Sequence, residues 1–328
     1  MIRQWSVVSH LAIGLLISLS LVLSGCAYAQ SYPSKTVRIV APAPPGGAMD
    51  LIGRVVAQKL GAAFGQQVIV DNRPGGGSIV GTELVAKSPA DGYTLLIVTA
   101  SHVTNPSLHR KLSYDPIKDF MSITQLTSQS YLLIVHPSVP TKTVKEFIEL
   151  AKARKGALTY ASSGSGLLGH LGMELLKILG GFDAIHIPYK GGAPAMVDTV
   201  AGQVDAFLPT IVTGLSQVES GKVRAIAVTS LKRSPLLSNV PTIAESGFPG
   251  YEVNGWYGLV APAGTPKEVL TRLHDETAKI LRMDDIKKRV ATTGAEPVGN
   301  TPEEFSAYMR SEMVKWAKVV KQTGARAD

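Results

Sequence analysis

Thr36-Val37-Arg38-Ile39-Val40, a loop from Pro42 to Gly47, and then Met49 to Phe64 read in order as a strand, a glycine-proline loop and an amphipathic helix. The joining segment is Ala43-Pro44-Pro45-Gly46-Gly47-Ala48-Met49-Asp50. Its glycines let a backbone approach a ligand, its prolines stiffen it, and the helix that comes next opens with N–H groups lacking intrahelical partners. Such an end attracts carboxylate or phosphate. The same grammar returns more than a hundred residues later. Leu158-Thr159-Tyr160 is a strand, Ser162-Ser163-Gly164-Ser165-Gly166 a loop rich in hydroxyls, and Leu167 to Leu179 a helix stopped by Gly180-Gly181. Two such units predict two similar α/β lobes able to hold an anion between opposed helix ends.

Between and beyond these units strands alternate with helices. Gln67–Val70, Tyr93–Val98, Tyr131–Val135, Ala184–Ile187, Ala206–Leu208 and Val223–Val228 read as strands. Ile79–Lys87, Thr143–Arg154, Ala195–Ala201, Thr213–Ser220, Pro266–Met283 and Pro302–Thr323 read as helices, and Tyr251–Val260 turns extended again. Arg73-Pro74-Gly75-Gly76-Gly77 reads as a turn. The alternation predicts parallel sheets covered on both faces.

Length and composition fit this picture. At 328 residues the chain exceeds a typical domain of about 150 residues. With 45 % apolar and 18 % charged residues it is a folding sequence and not a disordered one. The formal charge of +8 becomes +7 without residues 1–25, which hold one Arg and no acid. That surplus is spread over the chain with no aromatic-interleaved basic stripe, which argues against nucleic acid as a partner and helps modestly to gather anions. Arg3 is the only charge before the apolar run Leu11–Leu23, so residues 1–30 read as a signal peptide. Leu23-Ser24-Gly25-Cys26 has the form of a lipoprotein signal, with Cys26 as the lipidation site, and Ala27-Tyr28-Ala29 that of ordinary cleavage. Either route predicts a periplasmic protein, tethered or free. Cys26 is the only cysteine, so no internal disulfide is expected.

Neither loop carries an arginine. Hydrogen bonds to a charged group contribute roughly 1.5–3 kcal/mol each, and a micromolar complex requires about 8 kcal/mol. Five or six neutral donors therefore suffice. Asp50 reads as a cap of its own first helical turn with Arg54 as its i,i+4 partner. Ser101 comes after a strand and lies at a carboxyl edge, open to ligand contact or ordinary loop capping. His170 and Glu174 share a helix face in a structural role, Asp205 closes a turn before its strand, and Trp256 and Tyr257 are expected to pack between lobes. An enzyme alternative rests on Gly164-Ser165-Gly166-Leu167-Leu168-Gly169, which matches the dinucleotide fingerprint. The next strand, however, ends in Pro188-Tyr189-Lys190 where a ribose-binding acid belongs. No GxSxG, HExxH, GxxxxGK[ST] or clustered Cys/His set occurs, so no cofactor and no metal are expected.

An ordered series of short motifs resembles the substrate-binding proteins of tripartite tricarboxylate transporters, the Bug-type extracytoplasmic receptors. The series includes Tyr32-Pro33-Ser34-Lys35, Pro44-Pro45-Gly46-Gly47 with Asp50, Asp71-Asn72-Arg73-Pro74-Gly75, Asp91-Gly92-Tyr93-Thr94, Asn105-Pro106-Ser107-Leu108, Tyr160-Ala161-Ser162, Pro188-Tyr189-Lys190-Gly191, Pro249-Gly250-Tyr251-Glu252 and Ala261-Pro262-Ala263-Gly264-Thr265-Pro266. The resemblance implies a type II periplasmic-binding-protein fold, a Venus flytrap of hinge-connected α/β lobes. Lobe 1 is expected over 32–128 plus 252–328 and lobe 2 over 129–251. It implies a small carboxylate ligand and integral membrane transporter subunits as partners, with membrane contact only through these or a lipid anchor. A signalling partner in place of a transporter would use the same fold. Carried onto this chain, the ligand contacts are Pro44 to Asp50, Ser162 to Gly166, and the region from Asp205 to Thr210. Ala43 stands where many relatives carry a bulky aromatic, which implies a roomier pocket.

Overall fold

The computed structural model describes residues 32–326. The expected leader, Cys26 and both processing motifs lie outside them. The compact unit that carries both sheets begins at Lys35.

The founding unit forms as its sequence dictates. Strand β1 (Val37–Ala41) is buried along nearly its whole length, and helix α1 (Ala48–Phe64) buries Met49, Ile52, Val55, Val56 and Leu60 at helical spacing. Next come β2 (Val68–Asn72), a single 3₁₀ turn (Gly76–Ser78), α2 (Ile79–Ala86), β3 (Thr94–Thr99), α3 (Ser101–Leu108) and β4 (Phe120–Ser130). The second lobe runs through β5 (Leu132–Val135), α4 (Val144–Ala153), β6 (Thr159–Ser162), α5 (Leu168–Gly180), β7 (Ile185–Pro188), α6 (Gly192–Val200), β8 (Ala206–Phe207), α7 (Ile211–Glu219) and β9 (Arg224–Val228). Returning to the first lobe, the chain forms β10 (Asn254–Pro262), α8 (Lys267–Leu281), α9 (Asp284–Ala291), β11 (Glu296–Pro297) and α10 (Pro302–Thr323).

The result is a two-lobed periplasmic-binding-protein fold. One sheet has the order β11-β4-β10-β3-β1-β2, the other β7-β6-β8-β5-β9. Neither is wholly parallel, which corrects the expectation from alternation. In the first sheet β1, β2 and β3 are parallel, but β10 pairs antiparallel with β3 and β4. In the second, β6 is parallel to β7 and β8, while β5 is antiparallel to β8 and β9. In the first sheet, β10 brings the chain back from the other lobe and so arrives from the opposite end, which fixes its antiparallel sense.

Two crossings join the sheets, at Ser130–Leu132 and Glu252–Asn254. Thr229, fully buried, laces them together: its hydroxyl oxygen accepts from Tyr131 N at 2.8 Å and its O–H donates to Val253 O at 2.6 Å. The long α10, opened by a capping box between Thr301 and Glu304, packs on α3, β4 and α5. Its Phe305, Met309 and Trp316 belong to one apolar core that continues through Trp256 and Tyr251 into the second lobe around Leu171 and Tyr160.

Among the elements that went unanticipated are α3 and β4. Helix α3 contains Pro106, which lacks a helical N–H; the segment is held by burial of His102, Val103, Asn105 and Leu108 more than by propensity. Strand β4 is eleven residues of mixed polarity, and pairing along β10 specifies it.

Candidate functional site

A cavity of ≈ 610 Å³ lies between the lobes. The second lobe contributes Gly164, Ser165 and Gly166 with Leu167 and Leu168 at the start of α5. The first lobe contributes Gly76–Ser78, ahead of α2, and one face of α3 (Ser101, Thr104, Asn105, Leu108). The crossing strands supply the floor: Gln129, Tyr131, Gly255, Trp256 and Tyr257. Three helix N-termini thus border one space. No Lys, Arg, Asp or Glu lines it.

Several donors in its walls have no protein partner. Ser101 Oγ and Trp256 Nε1 are both buried without a hydrogen bond among the described residues. Burial raises the Tyr131 and Tyr257 hydroxyls above the usual phenol range, and the neighbouring Tyr257 adds to the rise at Tyr131, so both stay protonated at neutral pH. Apart from His109 at the C-terminal end of α3, the polar side chains of the wall are neutral, and in this partly dehydrated space their dipoles favour an anion.

The second-lobe loop is braced from behind. Gly166 N donates to His170 Nδ1 at 3.0 Å, Gly164 N donates to Ser162 Oγ at 3.2 Å, and Ser162 Oγ lies 2.6 Å from His186 Nε2. The two imidazoles stack with centroids 3.9 Å apart. Burial lowers both pKa values to about 4, so the rings are neutral and His170 Nδ1 is an acceptor. Tyr160 stacks on His186 and donates to the buried Glu174, which also pairs with Lys177 at 2.8 Å. Gly166 takes a positive φ of 76°. A Cβ on Gly169 would come within 2.6 Å of Leu208 O, so this glycine sets how closely α5 approaches the chain after β8.

Of the residues expected at the site, the structure brings Ser101, Gly164, Ser165 and Gly166 together in the cavity wall. Ser162 stands behind them, and Ser163 O accepts from Gly191 N at 3.0 Å. The loop from Ala43 to Gly47 is largely exposed and does not line the cavity; Ser78 Oγ joins its base by donating to Pro42 O at 3.3 Å. Asp50 accepts from Gly46 N and from Arg54 Nε, each at 3.0 Å, and the Arg54 hydrogen bond holds its carboxyl below the usual range. The helix itself has no side-chain cap. Asp205 lies at the start of β8, the opposite edge from Ser162, with its carboxylate taken by Arg154 and by Thr159 N, both at 2.9 Å. Thr210 meets Thr213 at the start of α7 and pairs through its backbone with Tyr131.

Sequence reasoning missed Gly76–Ser78 and the floor residues Gln129 and Tyr131; Trp256 and Tyr257 were placed between the lobes, and both line the cavity. A glycine run ahead of a helix was a usable signal for the first; the floor is assembled by β4–β10 pairing across more than a hundred residues. Among the described residues no three His, Cys, Asp or Glu side chains gather as a metal site, and no helix is long and apolar enough to cross a membrane.

Comparison with known proteins gives this geometry a context. A family profile described as tripartite tricarboxylate transporter family receptor matches residues 52–325. BugT of Bordetella pertussis is 34 % identical over 300 residues, 91 % of this chain and 92 % of that protein. A solved structure described as R. palustris Rpa4515 with adipate is 37 % identical, covers 90 % of this chain and 99 % of its own, and superposes with a TM-score of 0.75. MatC (Rpa3494) from Rhodopseudomonas palustris, solved with bound malate, is 31 % identical, covers 88 % and 100 %, and has a TM-score of 0.71. With the profile spanning most of its length and relatives above 30 % identity matching it nearly end to end, the chain belongs to the tripartite tricarboxylate transporter receptor family.

Proposed function

We propose that this protein is an extracytoplasmic solute receptor that captures a small carboxylate between its lobes and presents the closed form to integral membrane subunits of a transporter. One observation carries the reading: a cavity shared by both lobes, bordered by three helix N-termini and by neutral side-chain donors, without one Lys, Arg, Asp or Glu in its wall. That is chemistry for holding an anion reversibly and offers nothing to transform it. Similar proteins solved with adipate and with malate support the ligand class.

In this reading Ser101, Ser165 and the loop Gly164–Gly166 contact the carboxylate, with Ser162 and Ser163 bracing that loop. The loop from Ala43 to Asp50 forms the rim beside Ser78, and Asp205 and Thr210 support the frame. The lobes, 32–128 with 252–328 and 129–251, pivot on the paired crossings near Tyr131 and Val253, and ligand shifts the balance between open and closed forms. Residues 1–30 direct export, and Cys26 is the point of lipid attachment if the lipoprotein route is used. The dinucleotide alternative gains no support, because the edge after β7 offers Tyr189 and Lys190 and no acid.

Calorimetry on the purified protein with mono-, di- and tricarboxylates, each beside its amide, tests the reading. Binding of an acid with at least tenfold loss for its amide is the expected result. Equal binding of acid and amide, or binding of a neutral sugar alone, would refute it.

A further inference from the structure

The lobes meet a second time, behind the pivot. In the first sheet the crossing pair β4 and β10 stands between β3, whose continuation α3 walls the ligand cavity, and β11 at the far edge. The faces of the crossing strands divide accordingly. Tyr131, Gly255 and Tyr257 border the ligand cavity, whereas Ser128, Ser130 and Asn254 border a separate one of ≈ 440 Å³. That rear cavity is also shared: Gly294 and Glu296 come from the first lobe, Ile211 and residues 230–235 from the second.

At Gly294 the two lobes touch. A Cβ built on it would overlap Val212 Cγ2 and lie 3.1 Å from Val212 Cβ, so the glycine backbone already rests against the valine. Both partners are firmly mounted. The Gly294 turn closes α9, with Gly294 N donating to Ala291 O at 2.9 Å, and pairing of Glu296 with Ser128 pins it to β4. Val212 rides on α7, whose neighbouring Ile211 is buried in the apolar core of the second lobe with Leu132 and Phe207. A displacement of one lobe is therefore felt directly at this contact.

We propose that Gly294 and Val212 form a rear stop that limits how far the lobes open, and that they set ligand affinity without touching ligand. This rests on the receptor reading above. A rotation about the crossings that narrows the cleft widens the rear and parts Gly294 from Val212; a rotation that opens the cleft drives them together. The arrangement in which they touch is the open limit. Bulk added at the contact holds the cleft partly shut, and affinity rises with the fraction of molecules already in the binding-competent form.

Gly294→Ala places a wedge at the contact. Adding Val212→Gly removes what the wedge strikes and keeps the strain of a side chain at the glycine's φ of 70°. Val212→Trp thickens the contact from the other lobe and leaves the glycine alone, so it decides the matter by itself if Gly294→Ala does not fold. With unchanged far-UV circular dichroism, either wedged variant should show a smaller unliganded radius of gyration than the wild type by small-angle X-ray scattering. Each should also bind adipate or malate at least threefold tighter by calorimetry, and the double variant should return to the wild type in both measures. Unchanged scattering and affinity in the folded wedged variants, or weaker binding that the double variant restores, overturns the stop. A scattering shift with no binding of adipate, malate or any other carboxylate overturns the receptor reading and leaves the stop standing.

Discussion

The loop after β1 and the loop after β6 are built to one pattern, yet the molecule places them differently. The second lines the cavity through Gly164–Leu168 and is braced by two stacked histidines. The first, Ala43–Gly47, is largely exposed and clipped by Asp50 and Arg54. Sheet order does not account for the difference: β3 separates β1 from the crossing strand β10, and β8 likewise separates β6 from the crossing strand β5. The first lobe builds its part of the wall from the turn after β2, Gly76–Ser78, and from α3 after β3, tied together by Asn105 Nδ2 donating to Gly77 O. A strand, glycine loop and helix announce an anion-compatible end; the packing of the neighbouring loops decides which of them borders the cleft.

The largest contrast between the lobes should appear in their helix glycines. Gly169→Ala drives a methyl into the backbone oxygen of Leu208, and we expect a loss of about 1–3 kcal/mol in urea denaturation together with weaker ligand binding. The same change at Gly53 of α1 meets the flexible tip of the Ile97 side chain at 2.7 Å and gains about 1 kcal/mol of helix propensity, so the net change should be near zero. Equal losses at both sites would break the comparison.

Acid separates the two braces. His170 titrates in the folded protein near 4, well below its ordinary 6.5, so the folded state binds fewer protons than the unfolded. Its contribution is complete above about 6.5 and is lost as pH falls toward 4. Between pH 7 and pH 5 this amounts to something on the order of 2 kcal/mol. Asp50 is also lowered, but from a carboxylate's ordinary 3.8, so its contribution stays intact above that value and is lost only in stronger acid. The urea midpoint should therefore fall from pH 7 to pH 5, and fall less in His170→Asn. An unchanged pH dependence in that variant would deny the histidine its role.

The smallest effect belongs to the first loop. Asp50→Asn removes an ion pair whose Arg54 partner is 56 % exposed, and the cost should stay under about 1 kcal/mol by thermal unfolding. A larger loss would make this clip as important as the histidine brace.

Much of this was written in local pattern. The apolar spacing of α1, α5 and α10 marked those helices, and the Ser162–Gly166 loop was legible because serines and glycines between a strand and a helix have few other uses. Helix α3 was not, since Pro106 and a run of polar residues conceal a segment that tertiary burial stabilises. The floor was only partly legible: Trp256 was placed between the lobes, but Gln129 is an ordinary strand residue until β4 and β10 set it opposite Gly255. Asp50 was read correctly as Arg54's partner but not as the clip on Gly46, which depends on the loop's actual path.

A crystal structure of the protein with a bound carboxylic acid addresses the arrangement most directly. We predict the carboxylate within hydrogen-bonding distance of donors from both lobes, Ser101 or Trp256 on one side and the Gly164–Leu168 turn on the other. A carboxylate held by Pro44–Gly47 alone, or bound outside the cleft, would contradict the account.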